Sequence, residues 1–192
     1  SSDLTLDASR GGTSFPAGTS TIIVEEVAAG TSLTVDTNDG FDTVSIGGGD
    51  YLENIQGDIT IRGGNANAAS PHYSGGGMYN RDSSPTVFNC IFRGNFATYY
   101  GGGMFNFSSS LILTNCTFVD NSAAIEGGGI SNITYSSPQL NNCVFQNNSA
   151  DYGGAMDNQD YSSPILTNCI FWDNSANYGA GIYNEYYASP AL

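Results

Sequence analysis

Four cysteines are the first residues whose type and spacing could carry chemistry. They lie 26, 27 and 26 residues apart, each in a near-copy of a phrase such as LTNCTFVDN or LTNCIFWDN. Thiolates can bind zinc, but zinc sites need ligands that converge at short spacings such as C-x-x-C. Regular intervals instead predict one column of buried, reduced thiols, formed by Cys90, Cys116, Cys143 and Cys169. Disulfides between Cys90 and Cys116, or between Cys143 and Cys169, are the alternative.

Carboxylates form two further patterns. The stretch DTNDGFD, from Asp36 to Asp42, has the oxygen density of a calcium site. Its order differs from that of an EF-hand loop, so we interpret it as a solvated turn. Asp120 and Asp173 would face outward about 10 Å apart if their strands stack. The carboxyls of inverting glycosidases have a comparable separation, but nothing else in the sequence marks a cleft around this pair.

The remaining candidates do not complete a catalytic set. His72 is the only histidine and follows Pro71, where a solvated loop side chain is the simpler interpretation. A lyase would need a basic residue beside calcium-binding acids, yet no acid cluster surrounds Arg81 or Arg93 in the sequence. We therefore predict a protein without enzyme activity, bound metal or cofactor.

The charge balance limits the partners and the location. The chain has 18 acidic residues against 4 basic ones, all arginine, and a net charge of -14. Because phosphate groups are bound by Lys and Arg, we expect no nucleic-acid partner. The sequence has no run of 18 apolar residues, so we also expect no membrane insertion. Abundant Gly, Asn, Ser, Thr and Tyr without Lys predict an extracellular or cell-surface protein.

The elements that position these residues follow from a repeat of 26 residues. The motif GGGMYN at residue 75 returns as GGGMFN, GGGISN, GGAMDN and GAGIYN, always at the same interval. Helical periodicity is absent, and Gly, Asn and Ser are too frequent for helix interiors. We therefore predict an all-β fold, a right-handed parallel β-helix with about 26 residues and three short strands per coil.

Each coil should bury one set of side chains and expose another. A corner at Asn168 would let Leu166, Cys169 and Phe171 all point inward, and the other coils repeat this arrangement. The corner asparagines should then stack and hydrogen-bond along the axis, as in cross-β ladders. The predicted ladder consists of Asn89, Asn115, Asn142 and Asn168.

The paired motifs resemble those of the polymorphic outer-membrane protein family, bacterial surface β-helices with GGA(I/L/V) and FxxN repeats. The first motif occurs as GGAM at residue 153 and as GGGM or GGGI elsewhere. The second occurs as Phe92–Asn95, Phe118–Asn121, Phe145–Asn148 and Phe171–Asn174. The resemblance covers roughly residues 75–192. It implies secretion and suggests adhesion or surface display, and it carries over no catalytic residue.

The N-terminal third lacks the repeated phrase but still alternates like strands. We predict that residues 1–74 form irregular coils and a cap of the same solenoid, and that residues 75–192 form the regular repeats. No Pro- or Ser-rich linker separates the two parts, so one domain is expected.

Aromatic residues recur on the predicted outer surface. Phe107, Tyr135, Tyr161 and Tyr187 precede the Ser-Pro strand at similar positions and should stack as an exposed ladder. Tyr100, Tyr152 and Tyr178 form a second set before the glycines. Such ladders could contact glycans, or they could serve as structural caps or assembly contacts, where Tyr is favoured.

The ends of the chain suggest self-assembly. The sequence stops at Leu192, inside a predicted coil, and begins with DLTLDAS. Leu4 and Leu6 could supply the missing strand to the next molecule, in contact with Pro190, Ala191 and Leu192. Such a contact does not close and would yield a filament. We therefore predict a non-enzymatic structural or adhesive β-helix that assembles head to tail into a surface fibre. A glycan-binding or polysaccharide-degrading protein, or a fragment of a longer adhesin, is the alternative.

Overall fold

The computed structural model describes residues 73–192 in full, together with the backbone of six strands before them. These early strands are β1 (Leu4–Asp7), β2 (Thr19–Val24), β3 (Ser32–Asp36), β4 (Phe41–Ile46), β5 (Asp58–Arg62) and β6 (Asn65–Ala66). The side chains of the acidic stretch from Asp36 to Asp42, and His72, lie outside the described residues.

The regular part repeats four short strands in every coil. The first coil has β7 (Met78–Arg81), β8 (Thr86–Phe88), β9 (Cys90–Arg93) and β10 (Phe96–Ala97). The second has β11 (Met104–Phe107), β12 (Ile112–Thr114), β13 (Thr117–Val119) and β14 (Ser122–Ala123). The third has β15 (Ile130–Ile133), β16 (Gln139–Asn141), β17 (Val144–Gln146) and β18 (Ser149–Tyr152). The fourth has β19 (Met156–Asn158), β20 (Ile165–Thr167), β21 (Ile170–Trp172) and β22 (Ser175–Tyr178), and β23 (Ile182–Asn184) follows it.

Equivalent strands of successive coils pair in parallel and form continuous sheets, which confirms the predicted parallel solenoid. We call the sheet of β1, β3, β5, β9, β13, β17 and β21 the cysteine sheet, and that of β7, β11, β15, β19 and β23 the methionine sheet. Two further sheets are formed by β6, β10, β14, β18 and β22, and by β8, β12, β16 and β20. The remaining early strands, β2 and β4, pair with each other. No helix occurs among the described residues.

The prediction of three strands per coil was wrong by one. Within each Phe-x-x-Asn motif the chain turns at the residue before the asparagine, which has positive φ, as at Gly94 (63°) and Asp120 (57°). This turn points the motif's asparagine inward and frees the next residues to pair as the short strands β10, β14, β18 and β22. The position of the division at residue 74 stays a prediction, although β5 pairs directly with β9.

The core consists of straight columns of like side chains. Phe92, Phe118, Phe145 and Phe171 stack with ring centroids 4.7, 4.9 and 4.8 Å apart and with nearly parallel planes. Beside them stands the column of cysteines, all of them free, of which the first three are buried. The predicted inward assignment and the reduced thiols are both confirmed.

Three asparagine ladders run along the axis. The predicted corner ladder exists on the exposed surface, where Asn115 donates to Asn89 at 3.2 Å and Asn142 to Asn115 at 3.3 Å. A second ladder is made by the asparagines of the Phe-x-x-Asn motif, and Asn121 also donates to the carbonyl oxygen of Phe92 at 2.9 Å. A third, in the methionine sheet, joins Asn80, Asn106, Asn132, Asn158 and Asn184 at 2.8–2.9 Å. Buried polar groups need such partners, so these two inner ladders satisfy amides that would otherwise be costly to bury.

The glycine triplets let the chain turn sharply from one strand onto the methionine sheet. Gly101 has a φ of +64°, a left-handed conformation that favours glycine. A Cβ atom on Gly102 would lie 2.3 Å from the carbonyl oxygen of Ser122, so any side chain there would displace the backbone. This turn brings the residue before the triplet over the outer face of the methionine sheet.

Candidate functional site

On the outer face of the methionine sheet, the residue type at one position of the repeat changes from coil to coil. Its strands place Tyr79, Phe105, Ser131, Asp157 and Tyr183 in one column by register. Three positions of this column are aromatic and two are polar. Ser131 and Asp157 have no exposed surface, although they alternate with the inward side chains of Ile130 and Met156.

A second column covers the first. Tyr100, Glu126, Tyr152 and Tyr178 pair in register immediately before the glycine turns. The Tyr100 ring stacks on Phe105 with a centroid distance of 5.7 Å, and the Tyr152 ring lies 5.1 Å from that of Tyr183. At the end of the second coil, however, the covering side chain is Glu126 instead of a tyrosine. A carboxylate therefore interrupts an otherwise aromatic surface.

Four polar side chains meet at this interruption, and we call them the carboxyl notch: Glu126, Ser131, Asp157 and Gln159. The Gln159 amide donates to Glu126 Oε2 at 2.6 Å, and the Ser131 hydroxyl donates to Asp157 Oδ2 at 3.4 Å. Asp157 Oδ1 is buried and has no hydrogen-bond partner among the described residues. Such an orphaned oxygen is unusual in a folded protein.

Burial perturbs both carboxyls of the notch. Desolvation, with a further contribution from the charge of Glu126, raises the pKa of Asp157 to about 8. Desolvation also raises the pKa of Glu126, although the hydrogen bond from Gln159 opposes this shift. Asp157 is therefore mostly protonated at neutral pH. Perturbed carboxyls on an accessible face are a recognised sign of a functional site.

No cation neutralises the notch within residues 73–192. The two arginines of this part are engaged elsewhere, since Arg81 pairs with Asp82 at 3.5 Å and Arg93 with Asp120 at 3.3 Å. The guanidinium of Arg81 also lies 5.2 Å from the centre of the Phe107 ring. The sequence contains no basic side chain after Arg93. At neutral pH Glu126 therefore lies beside a mostly protonated Asp157, and no cation of residues 73–192 pairs with either carboxyl.

The predicted exposed ladder forms only in part. Tyr135, Tyr161 and Tyr187 stack with centroids 5.3 and 5.0 Å apart and remain 66%, 50% and 79% exposed. Phe107 does not belong to this ladder, because it pairs in register with Ile133. The second coil has only Ser108 where the third has Thr134 and Tyr135, and this missing residue explains the error.

The other predicted positions are dispersed. Asp120 and Asp173 are corner residues with positive φ, and Asp120 is engaged by Arg93 and by the Asn147 amide. In the second predicted tyrosine set, Tyr152 and Tyr178 stack at 4.9 Å, whereas Glu126 separates Tyr152 from Tyr100.

The predicted assembly residues lie at opposite ends of the solenoid. Leu4 and Leu6 belong to β1 and pair with Leu33 and Val35 of β3. At the other end, Ala191 forms a bridge with Ile165, Pro190 is half-buried and Leu192 is 90% exposed. Contact between these ends in an assembly stays a prediction.

The notch was missed at the sequence level, although a signal for it exists. Residues at successive intervals of 26 are Tyr100, Glu126, Tyr152 and Tyr178, so Glu126 is the odd member. Asp157 is likewise a charged residue in a column whose ends are aromatic. Departures from a repeat, rather than the repeat itself, mark this site.

Comparison with known proteins supports the fold. A family model described as the right-handed β-helix region matches residues 32–190. No curated protein and no solved structure matches the chain. None of the described residues forms a helix long and apolar enough to cross a membrane. The narrower resemblance to polymorphic outer-membrane proteins stays a prediction.

Proposed function

The chain belongs to the right-handed β-helix family, and we propose that it is an extracellular structural or adhesive module without enzyme activity. The observation that carries this proposal is the exposed ladder of Tyr135, Tyr161 and Tyr187. All three have positive φ, between 59° and 67°, a conformation that is costly for a bulky side chain. Three exposed tyrosines held in such a conformation favour a role in surface contact.

Glycans are the ligand class we expect for the ladder. Because the rings stack nearly parallel, each inner face is covered by its neighbour and the ladder presents edges and hydroxyl groups to solvent. Tyrosine combines apolar area with a hydrogen-bonding group at low entropic cost, which suits polar, hydroxyl-rich partners.

Adhesion to immobilised polysaccharides tests this proposal. Replacing Tyr135, Tyr161 and Tyr187 together by Ser should reduce adhesion about tenfold or more, a typical loss for aromatic anchors. Trp172→Ser is the matched control, because Trp172 is 62% exposed and lies on the cysteine sheet. Equal adhesion of the triple variant and the control would disprove the ladder's role. Release of reducing or unsaturated ends from the polysaccharide would disprove the non-enzymatic assignment.

Head-to-tail assembly is a second candidate function, favoured by the register of the cysteine sheet. Leu4 and Leu33 are in line with Ile59 and Cys90, and β1 and β21 are the outermost strands of this sheet. A β1 strand placed beside β21 of another copy would continue the cysteine and phenylalanine columns in register. Such stacking is heterologous and open, so it would produce filaments.

Light scattering of the full chain at rising concentration, followed by electron microscopy, tests this assembly. Leu6→Asp and, separately, Leu192→Asp should leave monomers, because a carboxylate at the junction would be buried without a partner. A chain that stays monomeric without either change would rule the assembly out.

A further inference from the structure

We propose that the carboxyl notch and the tyrosines around it form a binding site for a small organic cation, meaning a ligand that presents an ammonium group. This site is separate from the exposed tyrosine ladder and goes beyond the adhesive role. Three features of the structure lead to it: the aromatic walls, the charge of Glu126 without a counter-ion, and the unpartnered oxygen of Asp157.

The aromatic walls come from a gap in the covering column. Tyr152 and Tyr178 stack at a centroid distance of 4.9 Å, which is one step of the solenoid. Tyr100 and Tyr152 are two steps apart, about 10 Å, and Glu126 replaces the ring between them. Tyr183 closes the same region from the next strand, 5.1 Å from Tyr152. Tyrosine rings around a gap of this size attract cations through their π faces.

The charge of the notch favours a positive partner. The charge of Glu185 raises the pKa of Glu126 and of Asp157, and the charge of Glu126 raises that of Asp157 further, while neither arginine of residues 73–192 pairs with them. Carboxylates that lose water without gaining a cation are destabilising. A bound ammonium group beside the half-exposed Glu126 would supply that cation.

The unpartnered oxygen of Asp157 is the third feature that supports the proposal. Asp157 is wholly buried, and its Oδ1 lacks a donor in the described part of the chain. Its Oδ2 already accepts a hydrogen bond from Ser131. When the proton of Asp157 is lost, the resulting charge lies directly behind Glu126 and strengthens the field that a bound cation experiences.

An organic cation fits better than calcium or a neutral sugar. Calcium takes six to eight oxygen ligands, whereas no group of three or more acidic, His or Cys side chains suited to a metal occurs among the described residues. A neutral sugar could stack on the rings but would leave the carboxyls uncompensated. An organic cation such as an ammonium group uses both the rings and the charge.

The proposal predicts that affinity rises with pH. Because Asp157 titrates near pH 8, the notch gains negative charge between about pH 7 and pH 9. The nearby tyrosines Tyr100 and Tyr183 do not add to this change in charge. Their pKa values are raised, so they keep their protons over most of this pH range. The groups that face Asp157 are Glu126, Ser131, Gln159, Glu185, Tyr100 and Tyr183.

The test is a titration of the full chain with choline, followed by NMR shifts of its amide groups. Its uncharged isostere, 3,3-dimethyl-1-butanol, is titrated in parallel. We expect saturable binding of choline alone, tighter at pH 9 than at pH 7. Glu126→Gln and Tyr152→Ala should each weaken it about tenfold, a loss typical of a charge pair or a cation–π contact. Asp173→Asn, an exposed carboxyl on another face, is the control and should have no effect.

Three outcomes would contradict the proposed site, and one measurement serves as a control for folding. Equal binding of choline and its uncharged isostere would show that the notch binds apolar groups and does not recognise the positive charge. Calcium binding that depends on Glu126 but not on Tyr152 would make it an inorganic cation site. Absence of choline binding in the wild-type chain would overturn the proposal, and unchanged melting temperatures of both variants would show that weakened binding does not reflect unfolding.

Discussion

The phenylalanine column inside the coil and the column of Tyr79 to Tyr183 on the methionine sheet share one repeat but differ in regularity. Inside, four rings at one position stack with interplanar angles of 3–5°. Outside, Ser131 and Asp157 replace aromatic residues in the middle of the column. The interior must fill a fixed volume at every step, because close packing tolerates neither voids nor excess. The outer face is free from this constraint and can carry a specific site.

Interior truncation should have the largest effect on stability. Phe145 is wholly buried with a ring on each side, so Phe145→Ala should lower the free energy of unfolding by about 3–5 kcal/mol. Phe171 is only partly buried, and Phe171→Ala should cost less. Denaturant titration measures both, and equal small losses would contradict the packed interior.

The notch should make stability depend on pH with an unusual sign. The pKa of Asp157 is raised to about 8, so the folded state retains a proton that the unfolded state loses above about pH 4. Stability from this group is complete below pH 4 and declines until about pH 8. Between pH 5 and pH 7 the loss should be about 2–3 kcal/mol.

Asp157→Asn is the control for this dependence, because it removes the titrating proton while keeping the shape. Its unfolding curves should show a much weaker decline over the same pH range than those of the wild type. If the two proteins lost stability in parallel, the decline would come from the general negative charge of the chain.

Removing an asparagine should cost more stability in a buried ladder than in the exposed one. Asn132 is buried between Asn106 and Asn158, so Asn132→Ala should cost about 2 kcal/mol by leaving neighbouring amides without partners. Asn115→Ala, in the exposed corner ladder, should cost well under 1 kcal/mol of hydrogen bonding because water replaces the partner. Thermal melts of the two variants compare them directly, and similar losses would argue against this distinction.

The cysteine column should be protected chemically, which is the smallest effect expected on stability. A hydrogen bond with Cys116 and burial raise the pKa of Cys143 to about 12, so its reactive thiolate is scarce at neutral pH. A thiol reagent should label the buried cysteines only after denaturation, when all four should react. Fewer than four labelled thiols without reductant would reveal a disulfide.

The sequence could predict the interior because its constraint is repeated in every coil. The intervals between Met78, Met104 and Ile130 indicate the methionine sheet, and those between the cysteines indicate the core. The fourth strand of each coil was missed because its residues, such as Phe96 and Ala97, are too few to show alternation. Phe107 was misplaced because one residue is missing from its coil.

The notch could not be predicted in the same way. Glu126 and Asp157 are 31 residues apart in sequence, and only the glycine turn places one over the other. A sequence repeat identifies positions that carry similar residues in every coil. This site instead depends on two exceptions to the repeat, Glu126 in the covering column and Asp157 in the column beneath it. To predict the notch, one would have to know that the column containing Glu126 covers the column containing Asp157.

Restoring the aromatic repeat tests most directly the claim that the notch is a functional site rather than a tolerated irregularity. The double variant Glu126→Tyr, Asp157→Tyr makes the covering column wholly aromatic, leaves Ser131 as the one polar member of the column beneath it, and removes both carboxyls of the notch. We predict a higher melting temperature than that of the wild type, because the desolvated charges disappear, together with complete loss of choline binding. A variant that melts lower, or that still binds choline, would contradict this account of the outer face.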